Sequence, residues 1–373
     1  MNEDKSARYH RLRRRAAVAG TILGVVFLLV LVVSGGSAAL RDWAASLTGG
    51  SFILTLGCYV VILGLINEAI GLPLAFYQGV TLERRYGLST QTTARWWLDH
   101  VKAGLVALVF GLVAAALVCS LIRWDPERWW ISAAAAFTVI LVVLVQLAPV
   151  LLLPLFYEFK PLDREALVTR LVTLAERAGA RVMGVFEWRL SDKTKKANAA
   201  LAGIGHTRRI IISDTLLAEH SDDEIEVILA HELAHHVHRD IWKGIALETI
   251  LIALGFYLAD RVLARFAGSF GLTGKSDVAA LPLLLLAAGA VSLALMPLAN
   301  ALSRAHERSA DRYALEMTKN VPAFVSAMKR LGAQNLAEEH PSRLVQILFY
   351  THPPIGARID AAHAWATKAT KTA

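Results

Sequence analysis

At 373 residues the chain is long enough for two or three domains, and 55% of it is apolar against 19% charged. The charges are confined to a few segments, which excludes an ordinary soluble protein and places the chain in the multi-pass membrane class. The net charge of +8 then reads as a cationic cytoplasmic side, not as a nucleic-acid surface.

The basic stretch 5–15 contains Arg8, Arg11, Arg13, Arg14 and Arg15 and precedes an apolar run over 16–33. A secretory leader cleaved near 34–38 has the same outline, but the length of the run and the spans that follow favour an uncleaved anchor. Five further runs, near 52–77, 101–122, 130–157, 241–266 and 278–301, are long enough to cross about 30 Å of hydrocarbon. Cys58 and Cys119, the chain's two cysteines, lie in these runs and read as small buried hydrophobes. Arg84, Arg85 and Arg95 fall on the same side as the basic N-terminus, whereas 34–51, 123–129 and 267–277 are poor in basic residues. Both termini and the 158–240 region are therefore expected in the cytoplasm. Asn67 and Glu68 in the second span, and Glu248 in the fifth, are polar groups in hydrocarbon. They read either as buried, paired or protonated groups or as the lining of a hydrated chamber.

Two soluble blocks remain. In the first, 163–178 has the leucine spacing of an amphipathic helix, and 182–190 and 208–213 read as strands. The Lys-rich segment 191–198 between them reads as a solvated loop or an anionic-lipid contact. Ser221 and Glu224 form an S-x-x-E capping box, opening a helix that could run straight into the fifth span. In the second block, helices are expected over 301–318, 322–331 and 356–365, and the prolines of Thr351-His352-Pro353-Pro354 break any helix there.

The chemistry lies in His231-Glu232-Leu233-Ala234-His235, an H-E-x-x-H pattern. Four residues apart on a helix, His231 and His235 share a face and can grip one zinc ion, with Glu232 placed as general base on a zinc-bound water. A catalytic zinc needs a third protein ligand. Glu307 is a candidate, and a solvated helix charge is the alternative. Asp311, one turn on, could accept the free ring N–H of a ligand histidine. His236, His238 and His306 stand off the ligand face. His10, His100, His206, His220, His340 and His363 carry no partner pattern.

These motifs, in this order, resemble those of the integral-membrane type I CAAX prenyl proteases, the zinc endopeptidases that process the yeast a-factor pheromone. Leu72-Pro73-Leu74-Ala75-Phe76-Tyr77 with Leu82-Glu83-Arg84-Arg85-Tyr86-Gly87 resembles that family's membrane signature. So do His231-Glu232-x-x-His235, Asn300-x-x-Ser303-Arg304-x-x-Glu307-x-x-Ala310-Asp311, and His352-Pro353-Pro354 with Arg358. The resemblance implies one Zn2+ per chain on His231, His235 and Glu307, with Glu232 as base and Asp311 supporting a ligand. It implies His352 and Arg358 as catalytic groups facing the peptide, and Asn198 and Ala199 on an edge strand that binds extended substrate. It also implies a hydrated chamber lined by Glu68 and Glu248.

The expected fold is mainly α, a multi-pass α-helical membrane protein with about six spans and a zincin-like cytoplasmic metalloprotease domain containing a small β-sheet. Residues 1–157 would form an N-terminal membrane domain with four spans. Residues 158–373 would form the zinc metalloprotease domain, including the spans at 241–266 and 278–301. The expected partners are a peptide or membrane-protein substrate and the lipid bilayer, without nucleic acid. The expected location, from the style of the termini, is a bacterial cytoplasmic membrane. A quality-control metalloprotease, or a non-catalytic scaffold with a structural zinc, are the rival functions.

Overall fold

The computed structural model describes residues 4–203 and 208–372; His206 lies outside them. The membrane half begins with α1 (Lys5–Val33), α2 (Gly36–Leu47) and α3 (Phe52–Phe76). A π-helical turn over Tyr77–Leu82 follows, then α4 (Glu83–Arg85), α5 (Thr93–Trp124) and α6 (Trp129–Leu151). The second half runs β1 (Phe159–Pro161), α7 (Glu165–Arg177), β2 (Val185–Trp188), β3 (Ala199–Ala202) and β4 (Arg209–Ser213). It continues with α8 (Asp214–Glu219), α9 (Asp222–Val237), α10 (Asp240–Phe266) and α11 (Leu281–Thr318). It ends with α12 (Val321–Gln334), α13 (Arg343–Phe349) and α14 (Ile355–Thr372).

Among the described residues, six helices are long and apolar enough to cross a membrane: α1, α3, α5, α6, α10 and α11. Each packs chiefly on two others, in the order α1, α3, α5, α6, α10, α11 and back to α1. The spans therefore close into a ring. At ordinary helix spacing, a six-membered ring leaves a central gap of roughly one helix diameter, about 10 Å. One end of the ring is latched by ionic clusters. Asp260 is fully buried and accepts hydrogen bonds from Trp129 Nε1 at 2.9 Å and Lys275 Nζ at 2.8 Å. Asp277 pairs with Arg41 of α2 and accepts from the Thr273 backbone at 2.8 Å. In α3 and α5, Glu68 Oε1 and His100 Nε2 lie 2.5 Å apart, while Glu248 is exposed.

Several elements depart from the sequence expectation. Residues 36–47, expected in an outside segment, form α2, whose Ser37, Ala38 and Ala44 are buried. The sheet has four strands in the order β1-β2-β4-β3; β2 and β4 are parallel and the outer pairs antiparallel. Of the Lys-rich loop, Lys193 pairs with Asp99 at 2.6 Å and Lys196 with Glu83 at 2.9 Å. That loop joins the two halves of the molecule, so these two lysines are held by carboxylates and not by lipid. The helix of His231 does not run into the fifth span. It stops before Arg239, whose φ of 57° lies in the left-handed region. The sixth span, by contrast, and the helix expected over 301–318 are not separate elements. They form one helix of 38 residues that ends at Thr318, about 57 Å long.

Candidate active site

The capping box anchors the site. The Ser221 hydroxyl accepts from Glu224 N, and the Glu224 carboxylate accepts from Ser221 N at 2.8 Å. Glu224 also takes the Ser326 hydroxyl and lies 3.1 Å from Arg330, which ties the start of α9 to α12. From there Ile225, Leu229, Ala230 and Leu233 are buried in the core shared by the sheet, α7, α9 and α12. This packing leaves His231 and His235 one turn apart, facing α11.

On α11, Asn300, Arg304, Glu307 and Asp311 recur at i, i+4, i+7 and i+11, which is one helix face. Glu307 Oε2 lies 3.2 Å from His231 Nε2, and its Oε1 lies 3.4 Å from His235 Nε2. One ligand atom from each of the three residues lies within 4.8 Å of the others. The remaining ring nitrogens are held by carboxylates: His231 Nδ1 is 2.9 Å from Asp311, and His235 Nδ1 is 3.0 Å from Asp240. That fixes both tautomers with Nε2 turned toward Glu307. Glu307 Oε2 is buried and, despite its distance to His231, makes no hydrogen bond. A carboxylate that faces two Nε2 atoms, with one of its oxygens orphaned, is a donor set that could hold a metal ion. Four-coordinate N and O ligands at about 2.1 Å stand about 3.4 Å apart, close to the separations here.

Charge supports the same conclusion. Burial opposes a cationic His231 ring, but Asp311 and Glu307 overcome it and raise its pKa to about 9. The pocket thus favours positive charge. Glu232, half-buried beside it, makes no ion pair among the described residues. Burial lifts its carboxyl above the ordinary value, against the pull of His231 and His235.

A cleft of about 790 Å³ runs past these residues, lined by Asn198, Ala199, His231, Glu232, His352 and Arg358 among others. β3 is the outer strand of the sheet and pairs with β4 alone among the described strands, so its other edge is unpaired. Asn198 is pinned at its start, its N–H donating to Ser213 Oγ and its C=O accepting from Ser213 N, both at 2.9 Å. His352 Nε2 lies 3.3 Å from Glu307 Oε1. Its loop is held from α11: Asn300 donates to Leu348 O at 2.8 Å, and Arg304 donates to Gln346 O and Tyr350 O at 2.8 and 2.6 Å. Arg358, expected against the peptide, commits Nε and Nη2 to Asp311 at 2.8 and 2.5 Å and also lines the cleft.

The structure therefore gathers Glu232, His352, Arg358, His231, His235, Glu307, Asp311, Asn198 and Ala199 around one cleft or its immediate support. It adds Asp240, which the sequence did not mark. Among the described residues His236 makes no side-chain hydrogen bond or ion pair with this group, while His238 and His306 lie beside it, near Ser309 and Asp240.

Residues 161–366 match the model of peptidase family M48. The chain belongs to peptidase family M48. Residues 2–158 match the family model described as CAAX prenyl protease N-terminal, five membrane helices. In that region four helices of this M48 member are long enough to span, and α2, with 12 residues, is a fifth that is too short. The chain is 33% identical over 358 residues to the uncharacterized metalloprotease YhfN of Bacillus subtilis, spanning 95% of this chain and 84% of that protein. It is 24% identical to CAAX prenyl protease 1 of Saccharomyces cerevisiae, spanning 96% and 84%. The crystal structure of S. mikatae Ste24p shares the fold, with a TM-score of 0.87 at 23% identity, over 96% of this chain and 88% of that one. This M48 member is accordingly a multi-pass membrane metalloprotease.

Proposed function

We propose that the protein is a zinc-dependent endopeptidase that cuts membrane-associated or C-terminal peptides at the cytoplasmic face of its membrane. The observation that carries this reading is the convergence of His231, His235 and Glu307 beside Glu232, in a cleft bordered by an unpaired strand edge. His231, His235 and Glu307 would hold one Zn2+ per chain. When bound there, zinc supplies a Lewis acid for the scissile carbonyl and acidifies water.

The remaining roles belong to the chain itself. An extended substrate adds to the free edge of β3 at Ala199, with Asn198 fixing the start of that edge. Glu232 takes the proton of the attacking water and returns it to the leaving amine. His352 donates to the carbonyl oxygen as negative charge develops there. Arg358 holds Asp311, and Asp311 and Asp240 keep the two imidazoles in one tautomer. The relatives named CAAX prenyl protease 1 support a C-terminal substrate. The basic loops support a cytoplasmic catalytic side.

The test is Glu232→Gln in the full-length protein. It should retain about one zinc while peptide cleavage falls about 10²–10⁴-fold. Near-normal cleavage would remove Glu232 from its role. Glu307→Ala should lose zinc, and full metal occupancy in that variant would show that another residue is the third ligand.

A further inference from the structure

The basic N-terminal stretch first reads as a membrane-orienting tail, but one face of it enters the cleft. His10, Arg13, Arg14 and Ala17 stand at i, i+3, i+4 and i+7 on α1, and all four line the same cavity as His231 and Glu232. The cationic groups along this wall are not equivalent. Arg14 is neutralised by Glu338 at 2.6 Å, and Glu338 also accepts the Tyr350 hydroxyl at 2.7 Å. His10 Nε2 lies 2.8 Å from Leu336 O. Arg358 is committed to Asp311. Arg13 reaches only the Tyr9 hydroxyl, at 3.5 Å, and no carboxylate among the described residues lies within ion-pair distance of it.

We infer that Arg13 is a specificity-determining residue that binds a carboxylate of the peptide substrate. The inference rests on the protease reading above and adds a substrate class to it. An arginine on a cleft wall, with its neighbours already paired, offers its planar donors to an incoming anion. In a peptide that anion is either the terminal carboxylate or an Asp or Glu side chain. Both present the same two oxygens. A cleft of about 790 Å³ holds a few residues of extended chain, so the recognised group lies close to the cut bond.

The experiment uses the full-length, zinc-loaded protein in detergent. Its probes are three quenched-fluorescence apolar peptides of one sequence: the free acid, its C-terminal amide, and the amide carrying one internal Asp. The wild type should cleave at least one carboxylate-bearing peptide with a lower KM than the plain amide. Arg13→Gln should raise that KM about tenfold, leave kcat within about twofold, and abolish the preference over the amide. Arg13→Lys should keep part of the preference. Arg15→Gln, exposed on the same helix and outside the cleft, should leave it unchanged. A loss confined to the free acid assigns the terminal carboxylate; a loss confined to the Asp peptide assigns the side chain. Equal KM values for all three peptides in the wild type, or an unchanged preference in Arg13→Gln, would overturn the inference while leaving the protease reading intact. A rise in KM for all three peptides alike would also overturn it, and would point to a lipid or structural role for Arg13. A zinc-loaded wild type that cleaves none of them would overturn the protease reading itself.

Discussion

Each histidine of the candidate metal site is aimed by a carboxylate, and the two carboxylates come from different elements. Asp311 reaches His231 from α11, and Asp240 reaches His235 from the first turn of α10. Asp240 is itself held by Lys243 at 2.9 Å. Asp240→Asn removes the charge but keeps the shape, so metal affinity should fall about 10–100-fold. A chelator competition titration measures this, and an affinity equal to wild type would show that His235 orients itself. The histidine pair was legible because a four-residue spacing means one face wherever a helix forms. Glu307 could be named as a ligand only through the family resemblance, since a lone Glu on a helix has many uses. Asp240 was invisible because it reaches back across the helix break at Arg239, a residue type that does not announce a positive φ.

The elements carry the site through contrast between two neighbours. α11 is a continuous rod, with one face bearing Asn300, Arg304, Glu307 and Asp311. Arg304 donates to two backbone carbonyls at the end of α13, that of Tyr350 and that of Gln346, which also accepts from Tyr350 N. Its loss should free the segment that carries His352 without disturbing His231, His235 or Glu307. Arg304→Ala is therefore expected to lower kcat/KM about tenfold with zinc content unchanged, and Arg304→Lys to lose less. Loss of zinc in Arg304→Ala would show that the residue supports the whole site instead. The sequence placed the end of the sixth span and the start of the next helix at residue 301, where the apolar pattern ends; the two form one helix, which accommodates Pro297. α2 was missed for a different reason. Gly35-Gly36 and Gly49-Gly50 frame it with turn signals, so a helix of 12 residues looked like loop.

At the scale of the molecule, hydropathy was enough to count the spans, because burial in hydrocarbon demands long apolar runs. It could not order them, because the order is set by which helix faces pack, and that pattern is weak in an all-apolar surface. The latch around Asp260 illustrates the difference. In the sequence Asp260 and Arg261 only made the fifth span look less clean; in the fold Asp260 gathers Trp129, Lys275 and Arg261 at one end of the ring. Asp260→Ala leaves the Trp129 N–H without its acceptor and Lys275 with only the Pro126 carbonyl. It should cost about 3 kcal/mol of stability, read as a lower unfolding temperature in detergent, with zinc still bound. An unchanged unfolding temperature would show that this end of the ring is held by apolar packing alone.

The membrane segment of α11 and the face that bears Glu307 and Asp311 belong to one helix, whereas the two histidines sit on α9, which the break at Arg239 separates from the fifth span. A tilt of α11 imposed by a thicker or thinner bilayer therefore moves Glu307 and Asp311 directly, and moves His231 and His235 only through contact. Lipid chain length is thus expected to change the spacing of Glu307 and Asp311 from the two histidines.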